Sequence, residues 1–282
     1  MQVTRYSDPK AFLDRAEPFF QSDPFSPSVI ATVTTRIASG TFPTGGDHAW
    51  FTVEDDDAHV IGLSMHTPPH NLFLSRMPED AALLLAREVA HSGRNLPGVN
   101  GAIVSTSVFA RAWEQITGHS STRLAETRMY RLVELLPPEA VQGEARLAES
   151  PGDLSQVADW MAAFHDEAQP HAPVEDWTAM ARRRMNAEDL HLWQTHGAPV
   201  SLAGVSRAVA GVARVGPVYT PPVWRGNGFG SSVTAAATSA ALRAGAEHVV
   251  LYTDLANPTS NSIYQDIGYR PDHDAEERTF DN

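Results

Sequence analysis

The strongest constraint on the fold of this chain is a short glycine-rich segment, Arg225-Gly226-Asn227-Gly228-Phe229-Gly230, between a β-like run and an alanine-rich helical run. The β-like run, Ala213 to Thr220, is followed by two prolines, which cannot continue a strand ladder because proline lacks the backbone donor. From Val233 onwards small apolar residues recur at helical spacing, and Gly245 is placed to end the helix. The segment therefore predicts a strand, a tight turn and a helix in succession.

This turn has the properties of an anion-binding site. Gly226, Gly228 and Gly230 have no side chains to block a ligand, and the first N–H groups of a helix have no intrahelical partners. Such a helix start attracts a diphosphate, and Arg225 adds a permanent cation. The spacing does not match a dinucleotide fingerprint, and no Lys-Ser/Thr pair follows as in a P-loop. The alternative is a tight loop that caps the helix without binding anything.

Composition narrows the class of protein. With 282 residues, 42% hydrophobic and 20% charged, the chain suits one large or two medium domains, and its alternating β-like and helical runs predict an α/β or α+β fold. The absence of cysteine excludes disulfides and a Cys nucleophile. A net charge of -13 opposes nucleic-acid binding. Neither a signal peptide nor a membrane-spanning run is recognisable, so we expect a cytoplasmic enzyme without a membrane partner.

Two halves of the sequence follow one plan. In the first half the predicted order is strand, helix, strand, helix, at residues 71–75, 78–92, 101–105 and 108–117. In the second half the same order is predicted at residues 213–220, 228–244, 248–253 and 258–267. The segment 138–150, rich in Pro, Glu and Gly, is predicted as a linker between a domain at 1–137 and a domain at 151–282.

The glycine-rich segment, read as Arg225-x-x-Gly228-x-Gly230, resembles the acetyl-CoA-binding signature of the GCN5-related N-acetyltransferase (GNAT) superfamily. The run from Asn257 to Tyr269, with Tyr264 and a Gly268-Tyr269 pair, is similar to the second signature of that superfamily. The resemblance covers 151–282 well and the first half in outline. It implies two GNAT-like lobes, each a mixed, mostly antiparallel sheet flanked by helices, with a degenerate N-terminal lobe and an active second lobe.

The resemblance also implies roles for particular residues. The backbone of the strand end would pair with the pantetheine arm of acetyl-CoA, at Val218, Tyr219 and Thr220. The turn would supply amides to the pyrophosphate, at Arg225, Gly226, Asn227, Gly228, Phe229 and Gly230. Asn257 would hydrogen-bond the pantetheine, and Tyr264 would protonate the leaving thiolate. Structural alternatives stand beside two of these roles, because Asn257 before Pro258 is also a helix N-cap and Tyr264 is also placed to be a core aromatic.

The general base is left open by the sequence. Glu167, His165 and Glu175 are candidates in the first helices of the predicted active lobe, and nothing in their spacing selects one. No metal site is predicted, because Pro170 would break the helix needed to bring His165 and His171 onto one face.

The sequence therefore predicts an N-acetyltransferase that moves an acetyl group from acetyl-CoA, as cosubstrate, to a primary amine of a small molecule or peptide. We expect a monomer or homodimer. Two alternatives stay open at this point: an acyl-CoA-binding sensor or scaffold without turnover, and an N-terminal lobe that acts as a dimerisation or substrate-lid domain. The sequence identifies neither the acceptor substrate nor the preferred acyl chain.

Overall fold

The chain divides into two compact units in the computed structural model, which describes residues 1–41 and 46–281. The first unit comprises Met1–Arg128 with His273–Asn282, and the second comprises Met129–Asp272. The chain begins with β1 (Gln2–Tyr6), α1 (Pro9–Ser22), α2 (Ser28–Ala38), β2 (Ala49–Glu54), β3 (Val60–His66), β4 (Leu72–Leu74), α3 (Glu79–His91), β5 (Gly98–Ala102), α4 (Ile103–Thr117) and β6 (Ser121–Leu132). It continues with β7 (Glu144–Leu147), α5 (Leu154–Ala168), α6 (Trp177–Asn186), β8 (Leu190–Thr195), β9 (Ala198–Val205), β10 (Val212–Tyr219), α7 (Phe229–Arg243), β11 (His248–Asp254), α8 (Pro258–Asp266) and β12 (Tyr269–Phe280).

The two runs of elements have the same order, which confirms the repeat seen in the sequence. Each run consists of one strand, two helices, three strands, a helix, a strand, a helix and a strand. In each run the third of the three strands is connected through a helix to a parallel neighbour: β4 pairs with β5, and β10 pairs with β11. The other pairs recorded in both units are antiparallel. The fold is therefore two lobes with mixed, mostly antiparallel sheets flanked by helices.

The first unit has the strand order β1-β2-β3-β4-β5, and the C-terminal part of β12 pairs with β5. On one face of this sheet, α3 and α4 bury apolar side chains such as Leu85, Phe109 and Trp113. On α1, Phe12 is fully buried near Trp50 of β2, with the ring centroids 6.2 Å apart. These layers give the unit its own core.

The second unit has the strand order β6-β11-β10-β9-β8-β7. Helix α7 buries Val233, Ala237 and Ala241, one face of the predicted periodicity, and these small side chains belong to the core formed with β9, β10 and β11. A separate core contains residues of α5, α6 and β8. The left-handed Gly245 follows α7, as predicted for the end of that helix, and the left-handed Gly268 follows α8.

The structure divides the chain differently from the predicted 1–137, 138–150 and 151–282. The units separate inside β6 and β12, so residues 273–282 belong with the first unit, where Ala275 to Thr279 pair with β5. The predicted linker contains β7, an edge strand that pairs with β8. Its residues are mostly exposed, and this polar character of an edge strand gave the segment the composition of a linker.

Two element boundaries in the first half also differ from the prediction. The strand predicted at 101–105 is β5, Gly98–Ala102, and the helix predicted to begin at Val108 begins at Ile103. Ile103 and Val104 are β-branched and favour a strand locally, but the helix forms because packing of its buried face overrides that preference. None of the helices in the described ranges has the length and apolar character that crossing a membrane requires.

Candidate active site

Strand β10 separates from its parallel neighbour at the point where the sequence predicted a ligand site. The pairing with β11 is recorded from Val212↔His248 to Val215↔Leu251, although both strands continue further. On the other side, the register with β9 shifts between Val215 and Val218, so β10 bulges around Pro217, which lacks the backbone donor of a regular ladder. Among the described residues, no β-pairing of residues 216–219 with β11 is found. The backbone on that side is therefore available to an extended ligand.

The glycine turn, residues 225–230, leads from the end of β10 into α7. Gly226 and Gly228 adopt left-handed φ angles of 79° and 78°, a conformation that a residue with a side chain adopts only at a cost. Gly228 is the N-cap of α7, and no side chain caps the helix. A Cβ at Gly230 would lie 3.3 Å from Thr220 Oγ1, so the start of α7 lies against the end of β10. The first amides of α7 thus lack a side-chain acceptor and can bind an anion.

Arg225 holds its guanidinium along the end of β10. Its Nε donates to the Thr220 carbonyl at 2.9 Å, and its Cζ lies 5.9 Å from the centroid of the Tyr219 ring. Its Nη2 forms an ion pair with Oε2 of Glu167 in α5, at 2.6 Å. Asn227 braces the same turn by donating to the carbonyls of Trp224 and Arg225, both at 3.1 Å. A half-exposed guanidinium is thereby positioned beside the uncapped amides.

Of the three candidate bases, Glu167 is the one that is hydrogen-bonded to the end of β10 and the glycine turn among the described residues. Besides Arg225, it accepts a hydrogen bond from the Tyr219 hydroxyl at 3.3 Å. Burial, and then the negative charge of Glu167, raise the pKa of Tyr219. Because Glu167 comes from α5, far away in the sequence, no local pattern could have selected it.

His165 has a different role. It is 6% exposed, its Nε2 donates to the Ala172 carbonyl at 3.0 Å, and its Nδ1 lies 3.2 Å from an Asp166 carboxylate oxygen. The Ala172 carbonyl is the main cause of the raised pKa of His165. With both ring nitrogens occupied, His165 ties down the end of α5. Glu175 is half-buried in the segment before α6 and has no hydrogen bond to the glycine turn.

Asn257 caps α8, as the structural alternative predicted. Its side chain accepts from the Ser260 amide at 3.0 Å, and its carbonyl accepts from Asn261 Nδ2 at 2.7 Å. Sequence reasoning missed that Asn261 also accepts from the Tyr130 hydroxyl at 2.8 Å. Tyr130 comes from β6, and no sequence signal links it to α8. This network fixes the helix that carries Tyr264.

Tyr264 is 6% exposed and its ring packs edge-on against Tyr269, with the centroids 6.4 Å apart. Burial raises its pKa well above the usual value, so the phenol remains protonated at neutral pH. Among the described residues no hydrogen bond to its hydroxyl is found, whereas the Tyr269 hydroxyl lies 2.6 Å from Thr238 Oγ1. Tyr264 is therefore a protonated phenol, and its O–H donates no hydrogen bond to any described residue of the protein.

The corresponding turn of the first unit, residues 75–78 between β4 and α3, is built differently and is called here the serine-capped turn. The Arg76 amide donates to Ser26 Oγ at 3.1 Å, and the Met77 amide donates to Ser105 Oγ at 3.0 Å. Pro78 has no amide hydrogen. The first turn of α3 carries Glu79 and Asp80, whereas the first turn of α7 has no acidic residue.

The described residues contain no group of three or more His, Asp or Glu side chains arranged to hold a metal ion. The predicted site thus consists of the splayed strand, the glycine turn with Arg225 and Glu167, and the helix carrying Asn257 and Tyr264. Its three parts come from the second unit.

Comparisons with known proteins agree with this fold. Residues 196–279 match the family model described as FR47-like protein. Similar solved structures include a Drosophila protein at 13% identity and a TM-score of 0.69, which covers 99% of this chain and 98% of that one. A GCN5-related N-acetyltransferase from Sphaerobacter thermophilus matches at 15% identity and a TM-score of 0.62, with coverage of 99% and 95%. A tandem GNAT protein from the clavulanic acid biosynthesis pathway matches at 13% and 0.59, with coverage of 99% and 98%. No curated protein sequence matches significantly.

Proposed function

From the premise that this chain has the GCN5-related N-acetyltransferase fold, we propose that it transfers an acetyl group from acetyl-CoA to a primary amine of a small molecule or peptide. The observation that carries the proposal is the glycine turn, whose uncapped amides lie beside Arg225 at the open end of β10. Bound acetyl-CoA would supply the thioester that is attacked. The remaining roles belong to residues of the second unit.

The donor set of the turn fits a diphosphate. The residues from Gly226 to Gly230 offer main-chain donors in a loop where two glycines adopt left-handed conformations and no acidic side chain follows in the helix. Arg225 gives planar, charge-assisted bonds to phosphate oxygens. Its present partner Glu167 competes with a diphosphate for the guanidinium, since both are anions.

The open side of β10 suits the pantetheine arm. Val218, Tyr219 and Thr220 follow the last recorded pair with β11, so their backbone groups can align with the amides of an extended chain. The Asn257 oxygen is committed to capping α8, which leaves its side-chain NH2 as the group for a pantetheine contact. A backbone N–H near Tyr219 would polarise the thioester carbonyl as charge develops there.

Acyl transfer to an amine requires that the amine lose a proton and that the leaving thiolate gain one. Tyr264, held protonated by burial, is the proposed proton donor to the thiolate. Glu167 is the proposed acceptor of the amine proton, since the structure brings it to the end of β10 while His165 is tied to a carbonyl. When the diphosphate takes over Arg225, this carboxylate is released from its ion pair and is free to accept the amine proton.

The proposal assigns the cofactor to the second unit alone. In the serine-capped turn, hydroxyl groups of Ser26 and Ser105 already accept the amides of Arg76 and Met77. Glu79 and Asp80 at the start of α3 would repel a diphosphate. These two features support the proposal that the first lobe is degenerate.

A combined binding and turnover experiment tests the proposal. Calorimetric titration with acetyl-CoA should give one saturable site per chain, and thiol release should appear on a panel of primary amines. Cationic amines should rank high because the net charge of the chain is -13. Absence of saturable acetyl-CoA binding would contradict the proposal. Saturable binding without amine-dependent thiol release would instead indicate an acyl-CoA sensor.

A further inference from the structure

A groove of about 730 Å³ lies in the second unit at the opposite end of α7 from the glycine turn. It is bounded by the C-terminal half of α7, by β7 and β8, and by the residues that follow β9. Helix α7 lines the groove from Ala236 onwards, seven residues after Phe229, so at 1.5 Å per residue the groove begins about 10 Å along the helix from the glycine turn. Its volume lies within the range of small-molecule sites in proteins.

The floor of the groove is apolar. Helix α7 presents alanines spaced along one face, and β9 adds the buried Val205. The apolar residues that α7, its C-cap and β9 contribute to the floor are Ala236, Ala240, Ala241, Ala244 and Val205. Small side chains at these positions leave room above the helix, so the floor favours a compact apolar body over a polar one.

One polar side chain of the wall faces the groove without a hydrogen bond from a described protein group. His191 of β8 is 9% exposed, and among the described residues no hydrogen bond to its ring is found. Burial and the nearby positive charge of Arg243 lower its pKa, so the ring is neutral at pH 7 and has one N–H to donate. Because its ring nitrogens are not among the enclosed polar atoms without a partner, the N–H of His191 can donate to an acceptor in the groove.

Two guanidinium groups at the groove are not neutralised. Arg207 is exposed and has neither a hydrogen bond nor an ion pair among the described residues. Within the part of the chain that the structure describes, the one hydrogen bond recorded for the Arg243 guanidinium goes to the neutral hydroxyl of Ser239, at 2.6 Å. In contrast, Arg146 is paired with Asp153 at 2.6 Å, so its charge is compensated.

The acidic groups of the lining do not cancel this charge. Asp189 is paired with Arg184 at 2.8 Å. Glu188 is exposed and is the remaining carboxylate of the lining. The end of α7 carries a partial negative charge, which favours cations and opposes a multiply charged anion. The groove is therefore suited to one negative charge attached to an apolar body.

We propose that this groove is a binding site for a small monocarboxylate with an apolar body, whose carboxylate is held by Arg207, Arg243 and His191. The carboxylate would accept the bidentate donors of a guanidinium and the N–H of the imidazole. The apolar body would cover the alanine face of α7. This inference does not depend on acetyl transfer, because no residue of the groove lining belongs to the proposed cofactor site.

Phenylacetate is the test ligand, and phenylacetamide is its uncharged counterpart of nearly the same shape. Calorimetry on the full chain should show saturable phenylacetate binding, with phenylacetamide and inorganic phosphate each at least about tenfold weaker. The imidazole resonance of His191, assigned by its loss in His191→Gln, should shift on titration and its pKa should rise, because a bound anion favours the imidazolium.

Arg207→Ala and Arg243→Ala should each weaken phenylacetate binding by about tenfold. Arg182→Ala removes the same charge from an exposed position of α6 that does not line the groove, and should leave the affinity unchanged. The proposal is overturned if His191 shows no shift up to about 10 mM phenylacetate, a concentration that detects even weak ligands. Equal binding of phenylacetamide, equal binding of phosphate, or an equal loss in Arg182→Ala would overturn it as well.

Discussion

The glycine turn of the second unit and the serine-capped turn of the first unit occupy the same place in the repeated order of elements, yet they use their amides differently. In the serine-capped turn, Arg76 and Met77 donate to hydroxyl groups from other parts of the first unit. In the glycine turn, no side chain caps α7 and two glycines adopt left-handed conformations. The same order of elements thus contains one turn whose backbone N–H groups are already hydrogen-bonded to serine hydroxyls and one whose backbone N–H groups are available to a ligand.

This difference shows that the order of elements does not by itself create a ligand site. Met77 of the serine-capped turn is 5% exposed, and a Cβ at Gly62 would lie 2.7 Å from its Cβ, so the turn is packed into the core. Around Gly226 a Cβ would meet nothing within 4 Å. Binding of an anion needs both open space and unpaired donors, and only the glycine turn of these two provides both.

The largest effect is expected for Gly228→Val. The side chain would force a strained conformation at φ 78° and approach Val141 Cγ2, which lies 2.9 Å from an ideal Cβ. Loss of two charge-assisted amide bonds to the diphosphate should weaken acetyl-CoA binding about a thousandfold, as measured by calorimetry.

Gly118→Val is the matched control, since Gly118 has the same φ of 78° at the end of α4 in the first unit. It should carry a similar backbone strain and keep its acetyl-CoA affinity. If Gly228→Val remains folded and binds acetyl-CoA as tightly as the Gly118→Val control, the glycine turn is only structural.

The next effect concerns Tyr264 in the second unit. Tyr264→Phe removes the proposed proton donor and should lower kcat about a hundredfold in a thiol-release assay, with acetyl-CoA affinity nearly unchanged. Tyr269→Phe is the control, because it removes a hydroxyl that is bonded to Thr238 and should cost about 1 kcal/mol of unfolding free energy without slowing turnover. Equal rates for the two variants would remove Tyr264 from the mechanism.

A smaller effect is expected for Glu167→Gln. Loss of the proposed base should lower kcat/KM for the amine about tenfold near neutral pH, while release of Arg225 from its ion pair should slightly strengthen acetyl-CoA binding. Asp166→Asn changes the adjacent, exposed carboxylate and should preserve both values. A Glu167→Gln enzyme with unaltered amine kinetics would assign the base elsewhere.

The smallest effect is expected in the serine-capped turn. Ser105→Ala leaves the buried Met77 amide without an acceptor and should cost about 1–2 kcal/mol of unfolding free energy in a urea titration. Acetyl-CoA affinity should stay the same, and exposed Ser7→Ala should change neither quantity. A clear loss of acetyl-CoA affinity in Ser105→Ala would mean that the comparison of the two turns is incomplete.

Features encoded within a short segment could be predicted from the sequence. The glycine turn, the cap at Asn257 and the helix end at Gly245 depend on neighbouring residues, and the structure has all three. The repeated order of elements was likewise visible in periodicity. The proposed roles of Val218 to Thr220 and of Tyr264 remain predictions.

Features that depend on distant contacts could not be predicted. Glu167 reaches β10 from α5, and Tyr130 reaches Asn261 from β6. The edge strand β7 has the polar composition of a linker, because its pairing with β8 leaves most of its side chains exposed. The pairing of residues 275–279 with β5 joins the end of the chain to the first unit, and no local pattern reports such a contact.

A crystal structure of the chain with coenzyme A tests the central claim most directly. We predict one molecule per chain, with its diphosphate on the amides of the glycine turn and Arg225 moved from Glu167 to a phosphate oxygen. A diphosphate bound at the serine-capped turn, or bound without contact to residues 225–230, would contradict this account.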